Sequence, residues 1–247
     1  MHPSAPSDTG RHGFASTQWS LVLAARDAEP RQAQAALASL CATYWRPLYG
    51  YVRSSGHSLE DAQDLTQSFF AHILEKHALR HVDPSFGRFR AFLLASIKNF
   101  VANEWRKSQA IKRGGETQIV SLEQMAQAEH GAPFEPSGAA TPDQVYERAW
   151  AMALLGRAAS RLKEEFDAAG KGHIFQRLKP YLTGDGAAPY SAVAADLGMN
   201  EVTVRVSVHR MRGRFRDLLQ QEIAQTLADP GDAAAIEQEL RFLLAVL

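Results

Sequence analysis

The chain has 247 residues, 45% of them hydrophobic, and its 27 Lys and Arg balance its 27 Asp and Glu. This length allows one large or two small folded domains, and zero net charge points to no particular partner. The single cysteine, Cys41, excludes an intramolecular disulfide and any zinc site built on paired cysteines. No apolar run is long enough to cross a bilayer and the first residues lack the apolar core of a signal peptide, so we expect a cytoplasmic protein.

The first half of the chain predicts helices. Residues 1–15 are polar and rich in Gly, Pro and Ser, which predicts a disordered N-terminus. Apolar residues then recur at helical spacing, first after Thr17 and again over about 31–54, where Pro47 should kink or split the helix. The next helix begins at Ser58, which starts an S-x-x-D capping box.

A long, basic and aromatic-rich helix is predicted from Arg88 to Ser108, after a loop over about 77–87. Its expected core face consists of Phe89, Phe92, Leu93, Ile97, Phe100, Val101 and Trp105. Asn99, Asn103 and Arg106 lie on another face. Unpaired bases need apolar pockets and amide groups that reach their edges, so this helix and the preceding loop are candidates for nucleic-acid contact.

Residues 113–141 are predicted to form a flexible linker, because Gly, Pro, Ser and Ala follow one another with little periodicity. Thr141 and Pro142 suit the cap and first turn of a helix that should run to about Ala169. A further helix is expected over about 174–182, between glycine-rich breaks.

Residues 190–216 are typical of a helix-turn-helix. Gly198 can adopt the left-handed conformation at the turn, Asn200 can cap the second helix, and the small Ala194 lets the two helices approach closely. The predicted buried stripe of the second helix consists of Val204, Val208, Met211, Phe215 and Leu218. A helix with one apolar and one cationic face suits the major groove of DNA.

The last segment, 229–247, predicts an amphipathic helix. Its apolar residues should pack either on the protein's own core or on a partner. The fold class predicted for the whole chain is all-α, with two small helical domains, 16–112 and 142–228, joined by the flexible acidic linker 113–141. The second of these domains carries the helix-turn-helix.

Charge is segregated along the chain. Residues 86–113 hold seven Lys and Arg and one acid, residues 114–147 hold six acids and no Lys or Arg, and residues 205–216 hold five arginines and no acid. Two cationic segments separated by an anionic one indicate contact with nucleic acid at two places.

These features together resemble the bacterial RNA polymerase sigma factors of the sigma-70 family, in particular a divergent subgroup of the extracytoplasmic-function (ECF) type. The region 2 signature of that family, D-A-x-D-L-x-Q-x-x-F, is matched by Asp61, Ala62, Asp64, Leu65, Gln67 and Phe70. The resemblance implies a region 2-like domain over 16–112 and a region 4-like domain over 142–228.

The resemblance also implies three contact sets. In the family, the signature helix docks on the clamp coiled coil of the largest subunit of core RNA polymerase, which here implies Asp61, Asp64, Leu65, Gln67 and Ser68. The following basic helix meets and helps to melt the minus-ten promoter element, which implies Arg88, Arg90, Lys98, Asn99, Asn103, Arg106 and Lys107. The helix-turn-helix reads the minus-thirty-five element, which implies Asn200, Glu201, Thr203, Arg205, Val206, His209, Arg210 and Arg212.

The helix-turn-helix departs from the family at two positions, and the linker leaves alternatives open. Val206 and Ser207 stand where the family usually has a polar and then a basic residue. This departure implies the loss of a phosphate contact, and the valine could touch a thymine methyl group instead. The acidic linker is either a solvated tether or, as its family counterpart does, threads through polymerase near the path of the RNA.

The leading hypothesis is a sigma factor that acts as a monomer in transcription initiation, with core RNA polymerase and promoter DNA as partners. An anti-sigma or other regulatory protein is a further candidate partner, and no membrane contact is expected. The alternatives are a stand-alone helix-turn-helix regulator, which would usually pair to read two half-sites, and a protein-interaction module.

An enzymatic activity, a cofactor and a metal are not expected. Glycine-rich phosphate loops, G-x-S-x-G and H-E-x-x-H are absent from the sequence. His77 and His81 stand four positions apart but lack a third ligand at ordinary spacing. Asp61 and Asp64 could form a carboxylate pair, but their place beside a helix start explains them more simply.

Overall fold

The computed structural model describes residues 30–74, 88–111, 140–183 and 188–247. Within these ranges the chain is helical and contains no β-strand, which confirms the all-α prediction for the described residues. Four predictions fall outside them: the disordered residues 1–15, the helix after Thr17, the loop over 77–87 and most of the linker 113–141.

The first three described helices are α1 (Pro30–Ser54), α2 (Leu59–Leu74) and α3 (Phe89–Ile111). Pro47 lies inside α1 without dividing it. Gly56 follows α1 with a φ of 96°, a conformation that glycine adopts without strain. At the start of α2 the Ser58 hydroxyl accepts a hydrogen bond from the Asp61 amide at 3.0 Å and donates one to its carboxylate at 2.6 Å. Ser58 therefore caps α2 as predicted, but Asp61 accepts from the Ser58 hydroxyl rather than from its amide, so the reciprocal half of the capping box does not form.

These helices meet in an aromatic core. Phe69 of α2 packs edge-on against Phe100 of α3, with ring centroids 5.6 Å apart, and Tyr44 of α1 packs against Phe89 with centroids 5.4 Å apart. The buried side chains around them are Leu40, Leu48, Val52, Ala62, Phe70, Ile73, Leu93 and Ile97. Burial of each large apolar side chain contributes about 1.5–3 kcal/mol relative to exposure.

The later helices are α4 (Pro142–Ala168), α5 (Gly172–Leu178), α6 (Pro180–Thr183), α7 (Tyr190–Leu197), α8 (Glu201–Ala224) and α9 (Ala233–Ala245). Thr141 and Gln144 form a reciprocal capping box at the start of α4. The single helix predicted over 174–182 is in fact two, α5 and α6. Pro180 explains the break, because proline has no N–H to continue the helical hydrogen bonds.

Helix α4 lies at the centre of the fold. It packs on one side against α1 and on another against α8, so helices from both sides of the predicted linker share one apolar core. Its fully buried residues are Tyr146, Trp150, Ala151, Leu154, Ala158 and Leu162. The division of the chain into two domains stays a prediction.

The C-terminal helix α9 packs on the protein itself. Asp232 caps it by accepting a hydrogen bond from the Ala235 amide at 2.9 Å. Leu240 and Leu243 are buried in the common core. Of the two alternatives left open by the sequence, the structure therefore has the apolar face of α9 on the protein's own core.

Candidate nucleic-acid interface

The candidate polymerase contacts lie on the outer side of α2. Asp61 and Asp64 are exposed, whereas Leu65, Gln67 and Ser68 are half-buried. Ala62 and Phe69 face inward and hold the helix on the core. The Asp61 carboxylate takes part in the cap described above, but that of Asp64 has no hydrogen-bond or ion-pair partner among the described residues. Of the two candidate acids, Asp64 is therefore the one whose carboxylate is available to a partner.

Part of the candidate minus-ten set forms an exposed stripe on α3. Asn99, Asn103, Arg106 and Lys107 are all exposed. The Arg106 guanidinium donates a hydrogen bond to the Asn103 side-chain oxygen at 2.7 Å, and Lys107 pairs with Glu104 at 2.7 Å. Amide and cationic groups thus lie side by side on this face, as the sequence predicts.

The other three members of the set are occupied within the protein. Arg90 is only 6% exposed and donates to Glu239 of α9, with Nε 2.9 Å from the carboxylate oxygen. Arg88 pairs with the same carboxylate, and Lys98 pairs with Asp143 of α4 at 2.6 Å. The seven candidate residues therefore do not form one open surface, because these three already bind acids of the second half of the chain.

Trp105 is a candidate contact that the sequence did not single out. The sequence pattern predicts Trp105 in the core, but its side chain is 60% exposed, next to the Asn103 and Arg106 stripe. The buried apolar positions of α3 are Phe89, Leu93 and Ile97. At 3.6 residues per turn, Trp105 lies roughly 80° around the helix from Ile97. Measuring the angle around the helix from these buried positions would have predicted that Trp105 lies outside the core.

The turn between α7 and α8 has the predicted chemistry. Gly198 has a φ of 63°, and its amide and that of Met199 close the end of α7 by hydrogen bonds to carbonyls of the preceding turn. Asn200 accepts a hydrogen bond from the Thr203 amide at 2.7 Å and so caps α8. Ala194 is buried where the two helices approach.

The buried face of α8 is also the predicted one. Its buried residues include Val204, Val208, Met211 and Leu218, whereas Phe215 is half-buried. The opposite side carries the candidate minus-thirty-five residues. Those that are exposed are Asn200, Thr203, Arg205, Val206, His209, Arg210 and Arg212, while Glu201 is half-buried.

The cations of α8 differ in how firmly they are held. Arg205 pairs with Glu201 one turn earlier at 2.5 Å, and Arg212 donates two hydrogen bonds to the Tyr181 carbonyl of α6, at 2.9 and 2.7 Å. His209 and Arg210 have no such partner among the described residues. These two members of the candidate minus-thirty-five set can therefore reach a ligand without breaking a contact.

A groove of about 490 Å³ lies beside this face, between α4, α5 and α8. Its apolar lining includes Phe166, Ile174 and Met211, and Arg214 and Glu165 stand at its edge. These two side chains form a two-pronged ion pair at 2.8 and 2.5 Å. The hydrogen bonds from Arg214 hold the pKa of the Glu165 carboxyl below its usual range. Arg214 is thereby tied to α4.

Metal and membrane sites receive no support from the described residues. They contain no group of three His, Cys, Asp or Glu placed to hold a metal ion, and the His77 and His81 pair lies outside them. None of their helices is both long and apolar enough to span a membrane.

Residues 40–111 match the family model of Sigma-70 region 2. The match supports placing the protein in the sigma-70 family. It covers most of α1 and all of α2 and α3, and therefore both the Asp64 surface and the Asn99–Lys107 stripe; helices α4–α9 lie beyond it. Comparison with curated proteins and comparison with solved structures found no match.

Proposed function

We propose that this protein is a sigma factor of the ECF type, from a divergent subgroup, that binds core RNA polymerase and directs promoter recognition, DNA melting and transcription initiation. The observation that carries the proposal is the match of residues 40–111 to Sigma-70 region 2. The matched segment includes an exposed acidic surface on α2 and an exposed amide and cationic stripe on α3, which are two separate surfaces for two partners.

The α2 surface is proposed to bind the clamp coiled coil of the largest polymerase subunit. Asp64 would supply an unpaired carboxylate, and the half-buried Leu65 and Gln67 would supply apolar and amide contact beside it. A charged group that is already free of internal partners loses no contact when it binds, which favours Asp64 over Asp61 as the central acid.

The α3 stripe is proposed to hold the minus-ten element. Arg106 and Lys107 can bind backbone phosphates, which supplies affinity through release of counterions. Asn99 and Asn103 can reach the edges of unpaired bases, and the exposed ring of Trp105 offers a face on which a base can stack.

Helices α7 and α8 are proposed as a helix-turn-helix that reads the minus-thirty-five element. Support comes from the turn at Gly198, the cap by Asn200 and the exposed positions of His209 and Arg210. In such motifs the N-terminal residues of the second helix contact base edges, and α8 presents Thr203 and Val206 there.

The proposal is tested by in vitro transcription with bacterial core polymerase on a pool of the host's promoter fragments. Wild-type protein should drive initiation at discrete start sites. Asp64→Arg should lose co-elution with core polymerase and at least tenfold of the transcript yield, because it reverses the charge of the exposed acid without touching the core. Glu164→Arg is the matched control, since Glu164 is an exposed acid of a different helix, α4, and has no part in the proposed surface.

Three outcomes are informative. Normal polymerase binding by Asp64→Arg would show that the docking surface is wrong. Sequence-specific binding of duplex DNA without any initiation would favour a stand-alone regulator, for which the cationic face of α8 would suffice. Absence of both activities would favour a protein-interaction module.

A further inference from the structure

Glu239 of the C-terminal helix is a fully buried carboxylate whose partners are two candidate DNA-binding arginines. Its side chain is 0% exposed. One oxygen accepts from Arg90 Nε at 2.9 Å, and the other accepts from Arg90 at 3.4 Å and pairs with Arg88. Buried acids are rare unless they are paired with a cation. The two arginines at the start of α3 are therefore what allows Glu239 of α9 to be buried.

Arg90 is enclosed from several sides. Its guanidinium lies 3.8 Å from the ring centre of Phe242, one turn after Glu239, and 4.9 Å from that of Trp150 in α4. The Tyr146 hydroxyl donates to the Arg90 carbonyl at 2.9 Å, and the Phe89 amide donates to the Thr226 carbonyl at 3.3 Å. The start of α3 is thus held by α4, α9 and the segment that follows α8.

Among the residues that the structure describes, the acids that neutralise α3 from outside come from the second half of the chain. Glu239 binds Arg88 and Arg90, Glu147 lies 3.7 Å from Arg90, and Asp143 binds Lys98. Carboxylate and phosphate oxygens occupy the same fork of donors on an arginine. Glu239 therefore stands where a DNA phosphate would have to lie for these arginines to bind it.

We propose that α9 is an autoinhibitory clasp that covers the Arg88 and Arg90 end of the minus-ten surface in place of DNA. This inference rests on the proposed function, because it takes these arginines as promoter contacts. DNA binds only the open form, in which α9 has left the two arginines. The apparent affinity for DNA is therefore the affinity of the open form multiplied by the fraction of molecules that are open. Release of α9 frees two cations that the closed form withholds.

The clasp is tested by DNA binding of the full-length Glu239→Gln variant. Glutamine keeps the size of the side chain but removes the charge that holds both arginines. The matched control is Glu237→Gln, because Glu237 lies on the same helix and its partner among the described residues is Arg241, at 3.3 Å, on the surface. The probe is a fluorescently labelled single-stranded DNA of random sequence, titrated by anisotropy at several salt concentrations.

Glu239→Gln should bind this DNA about tenfold tighter than wild type if roughly nine molecules in ten are closed. The slope of log affinity against log salt should be about the same in both proteins, because the DNA-bound state is the open form in each and contacts the same phosphates. Glu237→Gln should match wild type in both respects. Unchanged or weaker binding by a folded Glu239→Gln would overturn the clasp, since a purely structural glutamate would not restrain DNA binding.

Hydrogen exchange of the wild-type chain gives a second reading that needs no variant. Amides of 233–247 should exchange faster when core polymerase and promoter DNA are bound, and equal or slower exchange would overturn the clasp. The transcription assay separates the two proposals. Initiation by wild type with no effect of Glu239→Gln on DNA binding would refute the clasp alone, whereas absence of initiation and DNA binding by every variant would refute the proposed function and the clasp with it.

Discussion

Glu222 of α8 connects three helices and provides a direct test of how the fold is held together. It is only 2% exposed. Its two oxygens accept hydrogen bonds from Arg157 at 2.7 Å and Arg161 at 2.8 Å, both on α4. Arg157 also donates to the Thr43 hydroxyl of α1 at 2.6 Å. Loss of the Glu222 charge should therefore weaken the packing of α8 on α4 and, through Arg157, that of α4 on α1.

The expected loss in free energy of unfolding depends on how deeply Glu222 and its two arginine partners are buried. Hydrogen bonds to a charged group contribute about 1.5–3 kcal/mol each. The Arg157 and Arg161 side chains are 33% and 37% exposed, so water can recover part of what they lose. We expect Glu222→Gln to lower the free energy of unfolding by about 2 kcal/mol. For a chain of this size, that corresponds to a fall in Tm of roughly 4–8 °C.

The assay is urea unfolding followed by far-ultraviolet circular dichroism. Glu165→Gln is the matched control, because it removes an ion pair with Arg214 in which both side chains are exposed, worth about 0–1 kcal/mol. A loss for Glu222→Gln that is no larger than that of the control would refute the reasoning that this buried network couples α1, α4 and α8.

Two further predictions concern Cys41 and Trp105. Burial raises the pKa of the Cys41 thiol to about 12, whereas the same thiol in the unfolded chain has a pKa near 8.5. Keeping the thiol neutral therefore favours the folded state fully below about pH 8.5, and this stabilisation is lost as the pH rises towards 12. Iodoacetamide at neutral pH should therefore label native protein much more slowly than urea-unfolded protein, and equal rates would contradict the shielding of this partly buried thiol. Trp105→Ala should change stability by less than about 0.5 kcal/mol but weaken single-stranded DNA binding by about 1–3 kcal/mol, through loss of base stacking. The control, Met152→Ala, removes a similarly exposed apolar side chain from α4, and equal DNA affinity for the two variants would exclude stacking on Trp105.

Features set by a few neighbouring residues could be predicted from the sequence. The caps at Ser58, Thr141 and Asn200 each need one side-chain oxygen and an amide three positions later, and all three are present. The left-handed turn at Gly198 depends only on the absence of a β-carbon. The same local periodicity predicts which segments are helical and most of their buried stripes. It also predicts the exposed face with Asn99, Asn103 and Arg106.

Contacts between distant segments could not be predicted in this way. Glu239 and Arg90 are 149 positions apart, and no periodic pattern connects them. An arginine near the start of a basic helix reads as a DNA contact, and only the three-dimensional arrangement shows that it is enclosed by Phe242 and Trp150. Glu222 likewise looks like an ordinary surface acid until Arg157 and Arg161 are placed around it.

Two small buried residues of α4 limit which substitutions this protein can tolerate. Ala151 and Ala158 are both 0% exposed on a helix that is flanked by α1 and α8. A close-packed interior tolerates few added methylene groups, and a helix held from two sides has little freedom to shift away from them. Enlarging either alanine would push against α1, on which α2 packs, or against α8, which bears the proposed minus-thirty-five residues. The freedom of the proposed polymerase and DNA surfaces to vary in evolution thus depends on buried positions that lie in neither surface.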